Sequence, residues 1–212
     1  MITVQSFCFG PFQENTYLLW DETKETLIID PGNFTSAENS ELKTFVDDNK
    51  LQLKRLILTH AHIDHISGNR FVFDTWKLLP EVHKNDLLFI LNHKQTADMY
   101  GLPCVQSPEP VNFLKENEKI KWGKSELETI FTPGHSPGSL TLYNKAQNFV
   151  IAGDVLFYGS IGRSDLPMGD HDTLISSIKD KLFPLGDEVK VYNGHGPPTT
   201  IGFERMNNPF LV

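Results

Sequence analysis

Apolar residues fall along the chain in short runs separated by polar or glycine-bearing turns, with helical spacing between some of them. Residues 2–9 (ITVQSFCF), 16–20 (TYLLW) and 26–30 (TLIID) read as strands, the last two joined by a turn over Asp21-Glu22-Thr23-Lys24-Glu25. Asp30-Pro31-Gly32 stops the third strand. Thr35-Ser36-Ala37-Glu38 has the form of a capping box, and Leu42, Phe45 and Val46 behind it predict a helix to about Asn49. A strand over 54–58 and a helix over 66–76, with Phe71, Val72 and Trp76 facing inward, complete the first half. The order β-β-β-α-β-α predicts an α/β layered fold with a mixed sheet.

The second half repeats the style. Residues 79–83 predict a short strand, and 86–99 a helix stopped by Gly101-Leu102-Pro103. Residues 119–122 and 126–131 form a hairpin about Gly123-Lys124. Strands over 139–143 and 148–152 follow, then a helix over 172–182 with Leu174, Ile175, Ile178 and Leu182 on one face. A strand over 189–192 and a short helix after Thr200 finish the chain. Strand-rich segments near 2–30 and 119–152, each followed by helix, suggest two similar halves packed face to face.

The chemistry concentrates in Leu56–Gly68, LILTHAHIDHISG, where a buried-type apolar run ends in His60, His62, Asp64 and His65. On extended backbone, residues two apart point the same way, so His60 and His62 converge on one point. Asp64 and His65 follow as the chain turns to helix and address the other side of that point. Three imidazoles beside one carboxylate are costly to hold together without a cation. Three more candidates sit in turns that follow apolar strands: His135 in TPGHSPG, Asp154 after Gly153, and His195 in NGHGP. Ligands at the same end of successive strands gather along one sheet edge. Asp30, also at a strand end, is expected either as a plain turn residue or as a group that holds a ligand histidine from behind. His83 and His93 have no clustered partners and are expected at the surface or in packing; Met99 and Tyr100 line either a pocket mouth or the core.

Five imidazoles and two carboxylates divide naturally. His60, His62 and His135 serve one cation; Asp64, His65 and His195 serve another; Asp154 lends an oxygen to each. Nitrogen and oxygen donors without thiolate favour zinc, with iron or manganese as alternatives. Two cations about 3.5–4 Å apart would hold a bridging hydroxide as nucleophile, with Asp64 orienting it.

Composition removes other classes. The 212 residues carry a formal net charge of −8, against a broad nucleic-acid-binding face. No apolar run approaches the ~20 residues needed to span a bilayer, and the N-terminus lacks a basic region followed by an apolar core. Cys8 and Cys104 are expected as two buried thiols in a reducing cytoplasm. The expectation is a cytoplasmic enzyme of one domain over 1–212, acting on a small molecule; the sequence leaves its oligomeric state open.

THAHIDH at 59–65, with His135, Asp154 and His195, resembles the metallo-β-lactamase fold across nearly the whole chain. That resemblance implies a four-layer αβ/βα sandwich with two metals at the sheet edges, in the partition above. TPGHSPGS at 132–139, GRSDLP at 162–167 and GHGPPTT at 194–200 resemble the hydroxyacylglutathione hydrolase (glyoxalase II) branch. The resemblance implies hydrolysis of a thioester such as S-lactoylglutathione. Long members of that branch carry a C-terminal helical domain that grips glutathione. Only Gly196 to Val212 follow His195 here, so a short bacterial-type member without that domain is expected. Arg163 resembles the branch's GRxD arginine, and its side chain is expected to be buried near Asp154 or Asp30, with a substrate clamp as the alternative. Rival readings on the same scaffold are a mono-iron persulfide dioxygenase, whose members usually carry phenylalanine-glutamine where Leu166-Pro167 stand, and a lactonase or β-lactamase.

Overall fold

The computed structural model describes residues 1–212. Its first sheet has six strands in the order of the chain: β1 (Thr3–Phe9), β2 (Glu14–Trp20), β3 (Glu25–Ile29), β4 (Gln52–Ile57), β5 (Pro80–His83) and β6 (Asn112–Leu114). β1, β2 and β3 are antiparallel neighbours, whereas β3 to β6 run parallel. Parallel neighbours need crossovers. These are α1 (Ser36–Asp48), the pair α2 (Ile63–Ile66) and α3 (Asn69–Trp76), and the pair α4 (Leu87–Leu91) and α5 (His93–Met99).

The second sheet opens with antiparallel β7 (Lys119–Trp122), β8 (Ser125–Phe131), β9 (Leu140–Asn144) and β10 (Phe149–Gly153). A small ribbon of β11 (Leu156–Phe157) and β12 (Ser160–Ile161) and the helix α6 (His171–Ser176) lead on to β13 (Lys190–Asn193), which lies parallel to β10. β14 (Thr199–Thr200) closes that edge, before α7 (Ile201–Asn207). Each sheet thus begins as a meander and turns parallel, as the two strand-rich segments suggest.

The layers follow from strands buried on both faces, which read as continuous apolar runs rather than alternating ones. In β3, Leu27 and Ile29 join a core with Leu127, Leu140, Leu142 and Ile151 of the opposite sheet. Ile28, between them, belongs to a separate cluster with Leu42 and Val46 of α1 and Val72 of α3. In β10, Phe149 and Ile151 face the inter-sheet core, while Val150 and Ala152 pack with Leu174, Ile178 and Ile201. The result is helix, sheet, sheet, helix. The capping box forms as read: Thr35 accepts from Glu38 N–H, and Glu38 accepts from Thr35 N–H at 2.8 Å. No helix is long and apolar enough to cross a membrane.

Three expected helices are broken. That over 66–76 is interrupted at Ser67-Gly68, where Gly68 N–H is drawn to Pro31 O at 2.7 Å. That over 86–99 divides at Asn92. The third relaxes into a π-helical turn over Ser177–Leu182. Cys8 is exposed rather than buried, because β1 alternates and it lies between inward-facing Phe7 and Phe9. Cys104 is half-buried, its Sγ 3.3 Å from Nε2 of the buried His93. His83 stacks on Phe131, and Met99 and Tyr100 are exposed, so neither of the last two belongs to the core.

Candidate metal centre

β3, β4 and β5 are parallel in one sheet, as are β10 and β13 in the other, and β8 runs in the same sense as β10 across antiparallel β9. The chain therefore leaves six strands at one edge. It carries Asp30 after β3, His60 to His65 after β4, His135 after β8, Asp154 after β10 and His195 after β13. All seven expected ligands meet there. Within each of two trios, His60, His62 and His135 or Asp64, His65 and His195, the donor atoms lie within 4.8 Å of one another. Asp154 sits between the trios: Oδ2 is 3.5 Å from both His135 Nε2 and His195 Nε2, and Oδ1 is 3.3 Å from His65 Nε2.

The outer nitrogen of four histidines is committed to oxygen. His60 Nδ1 lies 3.2 Å from Thr59 Oγ1, whose own proton goes to Asp30 Oδ2. His65 Nδ1 faces Asp30 Oδ2 at 3.1 Å, His135 Nδ1 faces Arg163 O at 2.7 Å, and His195 Nδ1 faces Phe12 O at 3.1 Å. An Nδ1–H donated outward turns Nε2 into the centre as the atom free to bind once it carries no proton. His62 enters the other way round, with Nδ1 2.8 Å from His135 Nε2, itself 3.1 Å from His60 Nε2. Three ring nitrogens this close repel unless a proton or a cation sits among them. His65 Nε2 and Asp154 Oδ1 are buried with no hydrogen-bond partner, although they are near each other. That is the geometry of two donors aimed at a shared third point. The residues fit a pair of divalent cations.

Electrostatics divide the centre. Burial, then the neighbouring imidazoles, hold His60 well below the usual histidine range. Burial and His135 take His62 down to about 3, and burial lowers His135 as well, against the pull of Asp154. In the other trio burial is outweighed. Asp154 and Asp64 hold His65 well above its ordinary value despite complete burial. Hydrogen bonds to the same two carboxylates raise His195 to about 10, while burial works the other way. Burial also opposes ionisation of Asp154 and Asp64, but His65 and His195 hold both carboxyls below the carboxylate range.

Gly194 permits this crowding, since a Cβ there would collide with Asp154 Oδ1 and press on the His65 ring. A sequence profile for the metallo-beta-lactamase superfamily matches residues 9–195. The chain belongs to the metallo-β-lactamase superfamily. Among superfamily relatives, the hydroxyacylglutathione hydrolase GloC of Haemophilus influenzae is 38% identical over 206 residues, covering 94% of this chain and 93% of that protein. Two crystal structures superpose over their full length. BLEG-1 B3 metallo-beta-lactamase has a TM-score of 0.90 at 35% identity over 99% of this chain. TTHA1623 in a di-iron-bound form has 0.89 at 36% over 98%. The four-layer metallo-β-lactamase sandwich read from the motifs is the observed fold.

Two residues behind this superfamily centre differ from expectation. Arg163 does not bury its side chain against Asp154 or Asp30. The guanidinium is 62% exposed and makes a two-point pair with Asp165 at 2.8 Å, and only its carbonyl reaches the centre, through His135. The GRxD loop turns its backbone inward, so the side chain points away. Glu14 was missed: fully buried at the start of β2, its Oε1 is 3.8 Å from His65 Nδ1, and burial holds its carboxyl well above the usual range. An acid opening a polar strand carries no sequence signal for burial. The signal is the tertiary bridge of Glu14 to His195.

Proposed function

We propose that the chain is a binuclear metal-dependent hydrolase that cleaves an acyl-thiol of the S-lactoylglutathione type. In this reading His60, His62 and His135 hold one divalent cation and Asp64, His65 and His195 the other. Asp154 serves both. The observation that carries the reading is the inward-facing Nε2 on each of four Nδ1-anchored imidazoles, with His62 completing the set. Similarity to the GloC relative supports the thioester class. Zinc is the expected metal, and the di-iron form of a neighbour makes iron the alternative to measure.

When bound, divalent cations in such a donor set supply an activated water and polarise a scissile carbonyl. The chain's own residues do the rest. His60, His65, His135 and Asp154 are buried, whereas His62, Asp64 and His195 are partly open to solvent, so the substrate approaches across that side. Asp64 has Oδ2 3.1 Å from His195 Nε2 and is placed to orient the attacking water and take its proton. Asp30 receives Thr59 N–H at 2.7 Å as well as His65, and so holds the base of the β4 turn rigid while charge changes above it.

The β-lactam class is kept as a second reading, because one full-length structural neighbour is a B3 metallo-beta-lactamase. Initial rates on S-lactoylglutathione, a simple lactone and a β-lactam decide, on protein whose metal content has been measured. The proposal expects two cations per chain and fastest turnover on the thioester. A faster lactone or β-lactam reverses the substrate class, and one iron per chain with oxygen uptake points to persulfide dioxygenase chemistry.

A further inference from the structure

β5 is the parallel neighbour of β4, so its carboxyl end opens at the same edge as the histidine turn. The chain leaves β5 through a tight 3-10 turn, Lys84–Asp86, in which His83 Nδ1 accepts from Asn85 N–H at 3.3 Å. That turn presents Asp86, which has no exposed surface. One carboxylate oxygen, Oδ2, accepts from Ala61 N–H at 2.9 Å and from Ser136 Oγ–H at 2.7 Å. Ala61 lies between His60 and His62, and Ser136 immediately follows His135. The adjacent Asn85 ties this turn to the second of those segments, its Nδ2 donating to Pro137 O at 3.1 Å. Gly138 completes the cradle, for a Cβ there would collide with the other oxygen of Asp86.

We infer that Asp86 is a positioning residue that locks the β4 turn to the 132–139 loop and so sets the spacing of His60, His62 and His135. The inference rests on the metal reading of that trio under Proposed function and adds a residue to it. Two loops distant in sequence must present three ring nitrogens at one point. Leu140 N–H donates to Thr59 O at 2.8 Å at the base of the two loops, and the Asp86 carboxylate joins them beyond that bond, beside the histidines themselves. A neutral side chain would bridge these donors at less desolvation cost. Burial pushes the Asp86 carboxyl up to about 6 even with donors from Ser136 and Ala61. A buried anion without a paired cationic side chain is costly on its own, and a cation held by the adjacent trio would offset that cost.

The test uses metal-free full-length protein titrated with Zn²⁺ against a chromophoric chelator, and with Co²⁺ by its visible spectrum. His195→Ala, which leaves the three-histidine group whole, supplies that group's reference spectrum. Asp86→Ala is expected to weaken the three-histidine cation about tenfold to a hundredfold and to shift its Co²⁺ bands. Affinity at the Asp64, His65 and His195 group should stay within about threefold, a split that a general loss of fold would not produce. Asp86→Asn keeps shape and an acceptor oxygen and should recover most of the loss. Ser136→Ala, which removes one donor, should give a smaller effect at the same group. If Asp86→Ala does not fold, the last two variants carry the test. Equal weakening of both groups, or wild-type affinities in all variants, overturns the inference alone. Wild-type protein that takes up no divalent cation overturns the proposed function and this inference together.

Discussion

The two donor groups use the same side chain under opposite electrostatics. His60, His62 and His135 are packed against one another and driven neutral. His65 is as fully buried as His60, and His195 is partly open, yet both are driven to the charged form, because Asp64 and Asp154 sit 3.1–3.9 Å from their Nε2 atoms. Without cations, the first group is a knot of repelling lone pairs and the second is a set of internal ion pairs. One group is therefore ready to bind, while the other must first be unmade. The difference shows that a histidine's neighbours, rather than its burial, decide whether it waits as a ligand or as an acid.

Asp154 is where the contrast is easiest to break. Its carboxylate lies within 3.5 Å of histidines from both groups. Asp154→Ala should strip the shared oxygen from one group and the main counter-charge from His65 in the other. Cation content should fall in both, and thioester turnover should drop by about a thousandfold or more. Metal analysis beside steady-state rates checks this; retained turnover with both cations in place would show that the groups are independent.

Proton release sharpens the contrast. At pH 7 the first group has no proton to lose. In the second, His195 with its value near 10 and the charged His65 must each give up a proton before Nε2 can bind. In the cation-free protein the His195 pairing stabilises the fold fully below its ordinary 6.5 and is lost as pH rises through about 10. Cation affinity at the second group should therefore climb between pH 6 and 9 by about tenfold per unit for each proton released. Affinity at the first should be nearly flat above pH 7. Zn²⁺ competition titrations across that range, with proton release followed in weak buffer, check the slopes. Equal slopes would erase the distinction.

That these side chains gather at one edge was legible in the sequence, as was Asp30 behind His65, but most of their other surroundings were not. The seven donors stand out because each follows an apolar strand in a turn of small residues, so strand polarity alone puts them at one edge. Asp86 also follows a strand, β5, but in the turn Lys84-Asn85-Asp86, which has no small residues to mark it. Its position beside the apolar Leu87–Leu91 run made it read as the start of a longer helix, and the 3-10 turn that aims it inward leaves no periodic signal. Glu14 is recognisable only once β2 lies against the loop of His195. The layers were readable for a simpler reason: runs such as Leu27-Ile28-Ile29 need apolar partners on both faces. Helix ends were less so, because tertiary bonds such as Gly68 N–H to Pro31 O cut helices that spacing would have continued.

Arg163 gives the smallest and most specific test. Its carbonyl anchors His135 of the first group, yet its guanidinium faces solvent against Asp165. A side chain that stabilised the carboxylate-rich group would couple the two halves through charge, and its removal would weaken cation binding there. The geometry instead assigns the work to the backbone, which any residue at 163 supplies. Arg163→Ala should leave cation content and both pH slopes unchanged, turnover within about threefold and melting temperature within about 2 °C. Asp165→Ala should match it, since an exposed pair contributes little. A tenfold or larger loss of turnover in Arg163→Ala with metal retained would mean that the guanidinium reaches the substrate. The division between the groups would then extend beyond their ligands to the mouth of the site.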